Sequence, residues 1–269
     1  MLLIYKEKIV AGTERTLFDG KTLRGWRAVP RLPVPRCPGG PEPDTSGEQY
    51  RIAASTCGAW SVVDGAITGG QEVRGYGGYL LTGETFADFE LCYDANPDWP
   101  ADTGLLVRAS ARGTEGFQIL LDHRKSGAIG GFYGNGLAGF HAVSFNVDVQ
   151  RDQDGRPEKL IIEDPETTLE PVSEAKRSLL RYAMSPEEFL RIWRWKDWNS
   201  FRVRCEGVYP VLTVWINGVK AYELDTAQIR WPGYDKDAAA RLLGRAGHIA
   251  LEVHDNDPAM GDERWAPGA

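Results

Sequence analysis

A carboxylate and an imidazole two residues apart, Glu252 and His254, stand in the run Gly247-His248-Ile249-Ala250-Leu251-Glu252-Val253-His254-Asp255. A strand alternates its side chains, so Ile249, Leu251 and Val253 share one face while His248, Ala250, Glu252 and His254 share the other. The first face can enter a core. The second carries two groups able to take up and return a proton, about 7 Å apart along the strand. Two of the chain's four histidines lie here. This polar face is either the wall of a concave site or a solvated sheet face. The same period sorts two other runs. In Gly116–Asp122, Gln118 and Asp122 fall together, opposite Phe117, Ile119 and Leu121; in Gly104–Ala109, Arg108 falls with Leu106 and Gly104, opposite Val107.

Short strand-like runs separated by Gly, Pro and Asp must position these groups. The clearest are Trp60–Val63, Gly78–Leu81, Phe89–Ala95, Gly104–Ala109, Gly116–Asp122, Ser200–Cys205, Val211–Ile216, Lys220–Leu224 and His248–His254. Asn217-Gly218 and Asp64-Gly65 each join two such runs, and both dipeptides tolerate the positive φ of a tight hairpin turn. Repeated hairpins without strand–helix alternation predict an antiparallel sandwich. Arg31–Gly47, rich in Pro and Gly, reads as an irregular surface loop. Residues 155–197 are helix-compatible in places: Ser185-Pro186-Glu187-Glu188 sets a cap, a proline at the first helical position and acids in the first turn.

The chain has 269 residues, enough for one large all-β domain. A net charge of −7 argues against a nucleic-acid partner, which would need a basic face. A small polar ligand fits better, and nine tryptophans include candidates, Trp99 and Trp231, for stacking against a sugar ring. Most of the nine read as core or strand residues. The four cysteines form no CxxC pair, which removes zinc-ribbon and thioredoxin readings and leaves a Cys37–Cys57 bridge open. Neither a secretory leader nor a stretch long enough to span a membrane is present, so a cytoplasmic protein without a membrane partner is expected.

Several motifs occur in a telling order: Leu17-Phe18-Asp19-Gly20-Lys21-Thr22-Leu23-Arg24-Gly25-Trp26, then Trp60-Ser61-Val62-Val63-Asp64-Gly65-Ala66, Tyr79-Leu80-Leu81-Thr82 and Phe86-Ala87-Asp88-Phe89-Glu90-Leu91. Asp102–Arg108, Gly116–Asp122, Asp197-Trp198-Asn199, Val214-Trp215-Ile216-Asn217-Gly218 and Gly247–His254 follow. In this order they resemble the 3-keto-disaccharide hydrolase domain, also known as DUF1080, across nearly the whole chain from Thr16. The resemblance implies a concanavalin-A-like jelly-roll β-sandwich, here a single domain over 1–269 with a partly helical insertion around 134–197. It also implies a bacterial carbohydrate setting and hydrolysis of glycosides already oxidised to a ketone at C3. Two departures stand out. Glu252 replaces the family's usual glutamine, and the chain ends at Arg264–Ala269 before the family's last strand, so a vacant sheet position is expected beside His248–His254.

In a jelly roll the sugar lies across one sheet face, so polar residues of adjacent strands are the candidates. If the faces coincide, one patch holds Arg108, Gln118, Asp122, Glu252 and His254. A ketone at C3 acidifies the C2 proton, so a base forms an enolate that expels the anomeric substituent, and water then adds. His254 and Glu252 are the expected acid–base pair, Asp122 or His123 the donor to the leaving oxygen, and Arg108 or a divalent metal the partner of the enolate oxygen. His248 reads as structural. His141, beside the glycine-rich run Gly127–Gly136 that includes Asn135, belongs to a loop over the site, the glycines allowing a ligand or a moving loop to come close. The run lacks the Lys-Ser/Thr ending of a phosphate loop. His254-Asp255-Asn256-Asp257 offers ligands for calcium or another divalent metal, though no zinc or EF-hand spacing occurs. The competing readings are a non-catalytic carbohydrate-binding domain and an interaction domain with an inert sugar face. Oligomeric state is open.

Overall fold

The computed structural model describes residues 2–4, 14–122 and 124–256. In chain order the strands are β1 (Leu2–Ile4), β2 (Trp26–Pro30), β3 (Ala59–Val63), β4 (Ala66–Gly70), β5 (Gly78–Thr82), β6 (Phe89–Asn96), β7 (Gly104–Ala109), β8 (Gly116–Leu121) and β9 (Ile129–Asn135). They continue as β10 (His141–Ala142), β11 (Val147–Arg151), β12 (Pro157–Ile162), β13 (Leu180–Ala183), β14 (Asn199–Glu206), β15 (Val211–Ile216), β16 (Val219–Asp225) and β17 (His248–Val253). Four short helices intervene: α1 (Glu48–Ala54), α2 (Glu174–Arg177), α3 (Pro186–Ile192) and α4 (Lys236–Leu243).

Two antiparallel sheets face each other in a jelly-roll β-sandwich. One runs β13-β16-β15-β14-β6-β1-β4-β3, the other β10-β9-β8-β7-β17-β5-β2, and β11-β12 is a separate hairpin. All nine strand-like runs of the sequence are strands here, with ends shifted by a residue or so. Both hairpin turns form as read, with positive φ at Asn217, Gly218, Asp64 and Gly65. Between the sheets lies one apolar core to which both contribute, including Leu91, Tyr93, Phe201 and Val203 from the first and Leu105, Val107, Phe117, Ile119, Ile249 and Leu251 from the second. The alternation read along β17 and β8 is therefore the observed one. β17 lies inside its sheet, paired with β7 on one side and β5 on the other. The vacant position expected beside it does not exist.

The 134–197 segment is mixed rather than chiefly helical: it carries β10 to β13 besides α2 and α3. Helix α3 starts as its sequence dictates, Ser185 Oγ accepting from the Glu188 amide at 3.1 Å with Pro186 in the first turn. Residues 31–47 lack regular structure, but the segment is no free loop. It lies against the outer side of the second sheet, with the Ala138 amide donating to the Arg36 carbonyl at 2.6 Å. The glycines of β9 serve packing, not ligand approach: a Cβ at Gly130 would meet the Tyr222 ring at 2.9 Å, and one at Gly134 the Phe140 ring at 2.3 Å. Cys37 and Cys57 are free thiols, so no bridge joins them. Among the described residues no helix is long and apolar enough to cross a membrane.

Candidate active site

The outer face of the second sheet holds a cleft of about 510 Å³, a size that suits a small ligand. β17 delivers Glu252 and, one step beyond its end, His254; β8 delivers Gln118 and, just past its end, Asp122; β9 delivers Asn135. Pairing sets their spacing. Leu106 of β7 lies opposite both Gln118 and Ala250, so Gln118 and Glu252 flank β7 diagonally. Between them, opposite Leu120, is Gly104, where a Cβ would stand 2.4 Å from Gln118 Nε2. The missing side chain lets the amide of Gln118 reach across a whole strand to Glu252.

Glu252 is fully buried. Its Oε1 accepts from Arg31 Nε at 2.9 Å and from Tyr79 OH at 3.1 Å, and its Oε2 accepts from Gln118 Nε2 at 2.5 Å. Gln118 Oε1 in turn accepts from Asn135 Nδ2 at 2.9 Å. Burial of an ionised carboxylate costs several kcal/mol, roughly, unless it is paired and hydrogen-bonded, and here it is both. The same burial corrects the expected role. Glu252 lies beneath the cleft and does not line it, so it positions Arg31, Tyr79 and Gln118 but cannot exchange protons with a ligand.

His254 does line the cleft, and an acidic partner stands beside it. Asp102, at the mouth of β7, sets its Oδ2 3.5 Å from His254 Nε2 and 2.5 Å from Arg124 Nη2. Burial, with the nearby charge of Asp122, lifts the Asp102 carboxyl to about 6 against the opposing pull of His254 and Arg124. Burial and Arg31, whose Nη2 is 3.1 Å from Nε2, push the His254 imidazole down. The carboxylates of Asp102, Asp255 and Glu252 outweigh them and raise it to about 9. On the ring's other side Nδ1 lies 2.5 Å from the Asp255 carbonyl oxygen and 3.1 Å from its Oδ1. Nε2 thus faces both Asp102 and Arg31, which can only donate, while acceptor oxygens lie on the Nδ1 side.

Asp122 also borders the cleft, held as an acceptor: Arg124 Nε reaches Oδ1 at 2.9 Å and Nη2 reaches Oδ2 at 2.8 Å. That fork suits a fixed charge and opposes the expected role of proton donor. His141, on β10 and not in a loop over the site, and Asn135 line the cleft; His141 sits edge-on to Tyr133, ring centroids 5.9 Å apart, and burial lowers its pKa to about 4. His123 lies outside the described residues. His248 is structural, with Nδ1 2.7 Å from the Thr82 carbonyl oxygen.

Arg108 is the clear departure. Its φ is +52°, and the β7–β17 register shifts between His248 and Ala250, so β7 bulges there. Ala109 takes the outer face with Tyr79 and Leu106. Arg108 turns away from the cleft, buried, donating to the Gly207 carbonyl at 3.1 Å and to Asp88 Oδ1 at 3.2 Å. It cannot meet a ligand beside Gln118. Trp99 and Trp231 are partly buried against the core and do not line the cleft. Among the described residues no group of three or more His, Cys, Asp or Glu side chains is arranged to hold a metal. Asp255 is tied to Arg31 at 2.5 Å, Asn256 Oδ1 accepts from Gln71 at 2.9 Å, and Asp257 lies outside the described residues.

Sequence reasoning missed Arg31, Arg124 and Tyr79. Arg31 opens an irregular segment 221 positions from Glu252, so no periodicity could join them.

Comparisons with known proteins place this geometry in context. The model of a family described as "3-keto-alpha-glucoside-1,2-lyase-like domain" matches residues 13–260. Among solved structures, one described as a "putative glycosyl hydrolase" from Parabacteroides distasonis is similar at 16% identity and a TM-score of 0.42, covering 90% of this chain and 94% of that one. A carbohydrate-binding module, CBM66, from Bacillus subtilis is similar at 12% identity and a TM-score of 0.41, covering 74% and 84%. No curated protein matches.

Proposed function

Because the chain belongs to the 3-keto-alpha-glucoside-1,2-lyase-like family, and so to carbohydrate-active, hydrolase-like domains, we propose that its cleft cleaves glycosides carrying a ketone at C3. The observation that carries the reading is the Asp102–His254 pair in the cleft wall, 3.5 Å apart, with a base near neutrality beside a proton donor above it. Asp102 takes the C2 proton, and the C–H electron pair passes into the enolate of the C3 ketone. The enolate reforms the ketone by expelling the oxygen at C1, which receives a proton from His254. Water then adds across the new C1=C2 bond, so no electrons enter or leave. Arg31 and Arg124 supply the positive field in which the enolate charge develops. Glu252, Gln118 and Asn135 hold the floor.

A glucoside and its 3-keto counterpart, incubated separately with the protein, test the proposal. Release of the leaving group from the oxidised compound alone is the expected result, with Asp102→Asn and His254→Ala each lowering the rate at least 100-fold. Equal cleavage of both compounds, or full activity in either variant, would overturn it.

A further inference from the structure

At the end of β7 opposite Asp102, Arg108 carries a charge that its neighbours do not balance. The side chain is 1% exposed, and its bonds to Asp88 and to the Gly207 carbonyl both run from Nη2. Nε and Nη1 are buried, and among the described residues neither has an oxygen or nitrogen partner. Three N–H groups of the guanidinium are therefore left over. Asp88 does not offset them, because it also accepts from the Gly207 amide and pairs with Arg245. Two arginines share one carboxylate. Cys205 interacts with the guanidinium as well, but burial pushes its thiol up to about 11 against the pull of Arg108, so it stays a neutral, weak acceptor.

Arg108 borders a narrow pocket of about 10 Å³, room for one particle the size of water. Helix α4 walls it with Ala239 and Leu243. Thr226 and Lys236 add polar groups, and the buried Thr226 Oγ1 also lacks a partner among the described residues. Lys236 is already matched by Asp237, 3.2 Å away. The pocket thus has donors in surplus and one uncompensated positive charge. A water there accepts from Arg108 but does not offset the charge. A small anion does both, and an ionised acceptor makes the stronger bond to a guanidinium. Sulfate, phosphate and carboxylates are too large for the space. We propose that this pocket binds a single halide ion, chloride under physiological conditions, held by Arg108 Nε and Nη1 and by the Thr226 hydroxyl. Bound there, the ion ties the bulge of β7 to α4 and to the turn at Thr226. It acts on stability and takes no part in the reaction.

Wild-type crystals grown without chloride and soaked in sodium bromide give the direct reading. An anomalous peak within hydrogen-bond distance of Arg108 Nε or Nη1 is expected. In solution, exchanging gluconate stepwise for chloride at constant ionic strength should raise the Tm by about 3 °C and then saturate. Arg31 and Arg124 also present positive charge, in the cleft, so the source of that rise has to be assigned. Thr226→Val and Lys236→Met assign it, because neither residue lines the cleft and both changes leave Arg108 in place. Each should roughly halve the chloride-dependent rise, or more. A pocket that shows only water and no anomalous signal would overturn the inference. So would a Tm equal in gluconate and chloride, or a chloride-dependent rise that both variants keep in full.

Discussion

Three donors converge on Glu252, and that convergence decides what a substitution there does. Gln at this position keeps the shape but turns one acceptor into a donor, facing either Gln118 Nε2 or the Arg31 and Tyr79 pair. Arg31 also loses its buried counter-charge. Glu252→Gln is expected to cost about 3 kcal/mol in urea unfolding, while the pH limbs of residual activity move downward, because the Glu252 charge helps raise both Asp102 and His254. Those limbs belong to the other pair. Asp102 must be ionised and His254 protonated, so activity should rise as pH passes about 6 and fall as it passes about 9. A rate–pH profile between pH 4 and 10 measures this, and Asp102→Asn should remove the acid limb from what activity remains. At this scale the sequence pointed to His254 by type and strand parity, but not to its mate. Asp102 sits before its strand begins, where no alternation assigns a face.

Period-two reading succeeds on a strand that holds no inserted residue of its own. It sorted β17 and β8 correctly because the extra residues beside them lie in their partners, β7 and β9. On β7 it failed at one residue. The bulge at Arg108 inserts an extra step, and every side chain beyond it changes face. Nothing in Gly104–Ala109 marks that bulge, since Arg is an unusual residue to hold a positive φ. The same strand shows how an element sets a site without contributing a side chain. A methyl group at Gly104 would meet Gln118 Nε2 at 2.4 Å and Cγ at 2.7 Å, and the flexible amide must yield first. Gly104→Ala should therefore break the Gln118–Glu252 bond and destabilise the protein by about 1–3 kcal/mol. Combined with Gln118→Ala, the loss should be clearly less than additive in a double-mutant cycle read by urea unfolding.

For the whole molecule, fold class and strand inventory were legible, because hairpin turns and alternating runs are local signals. The walls of the site were not. They come from segments whose sequence carries no period: residues 31–47, drawn over the outer sheet face, and the turn after β17. The link between Arg31 and Glu252 joins positions 221 apart, and that between Arg31 and Asp255 joins positions 224 apart. This separation has a temporal meaning. Closing so long a loop is among the slowest events available to a folding chain, because its entropy must be lost before any contact rewards it. Hairpins such as β15–β16 can form early, whereas the Arg31–Asp255 edge of the cleft has to wait for segments 224 positions apart. A ribosome-bound fragment that has already acquired most of its sheet would still lack a working cleft. Competence arrives only when β17 enters between β7 and β5 and meets an arginine synthesised 221 positions earlier.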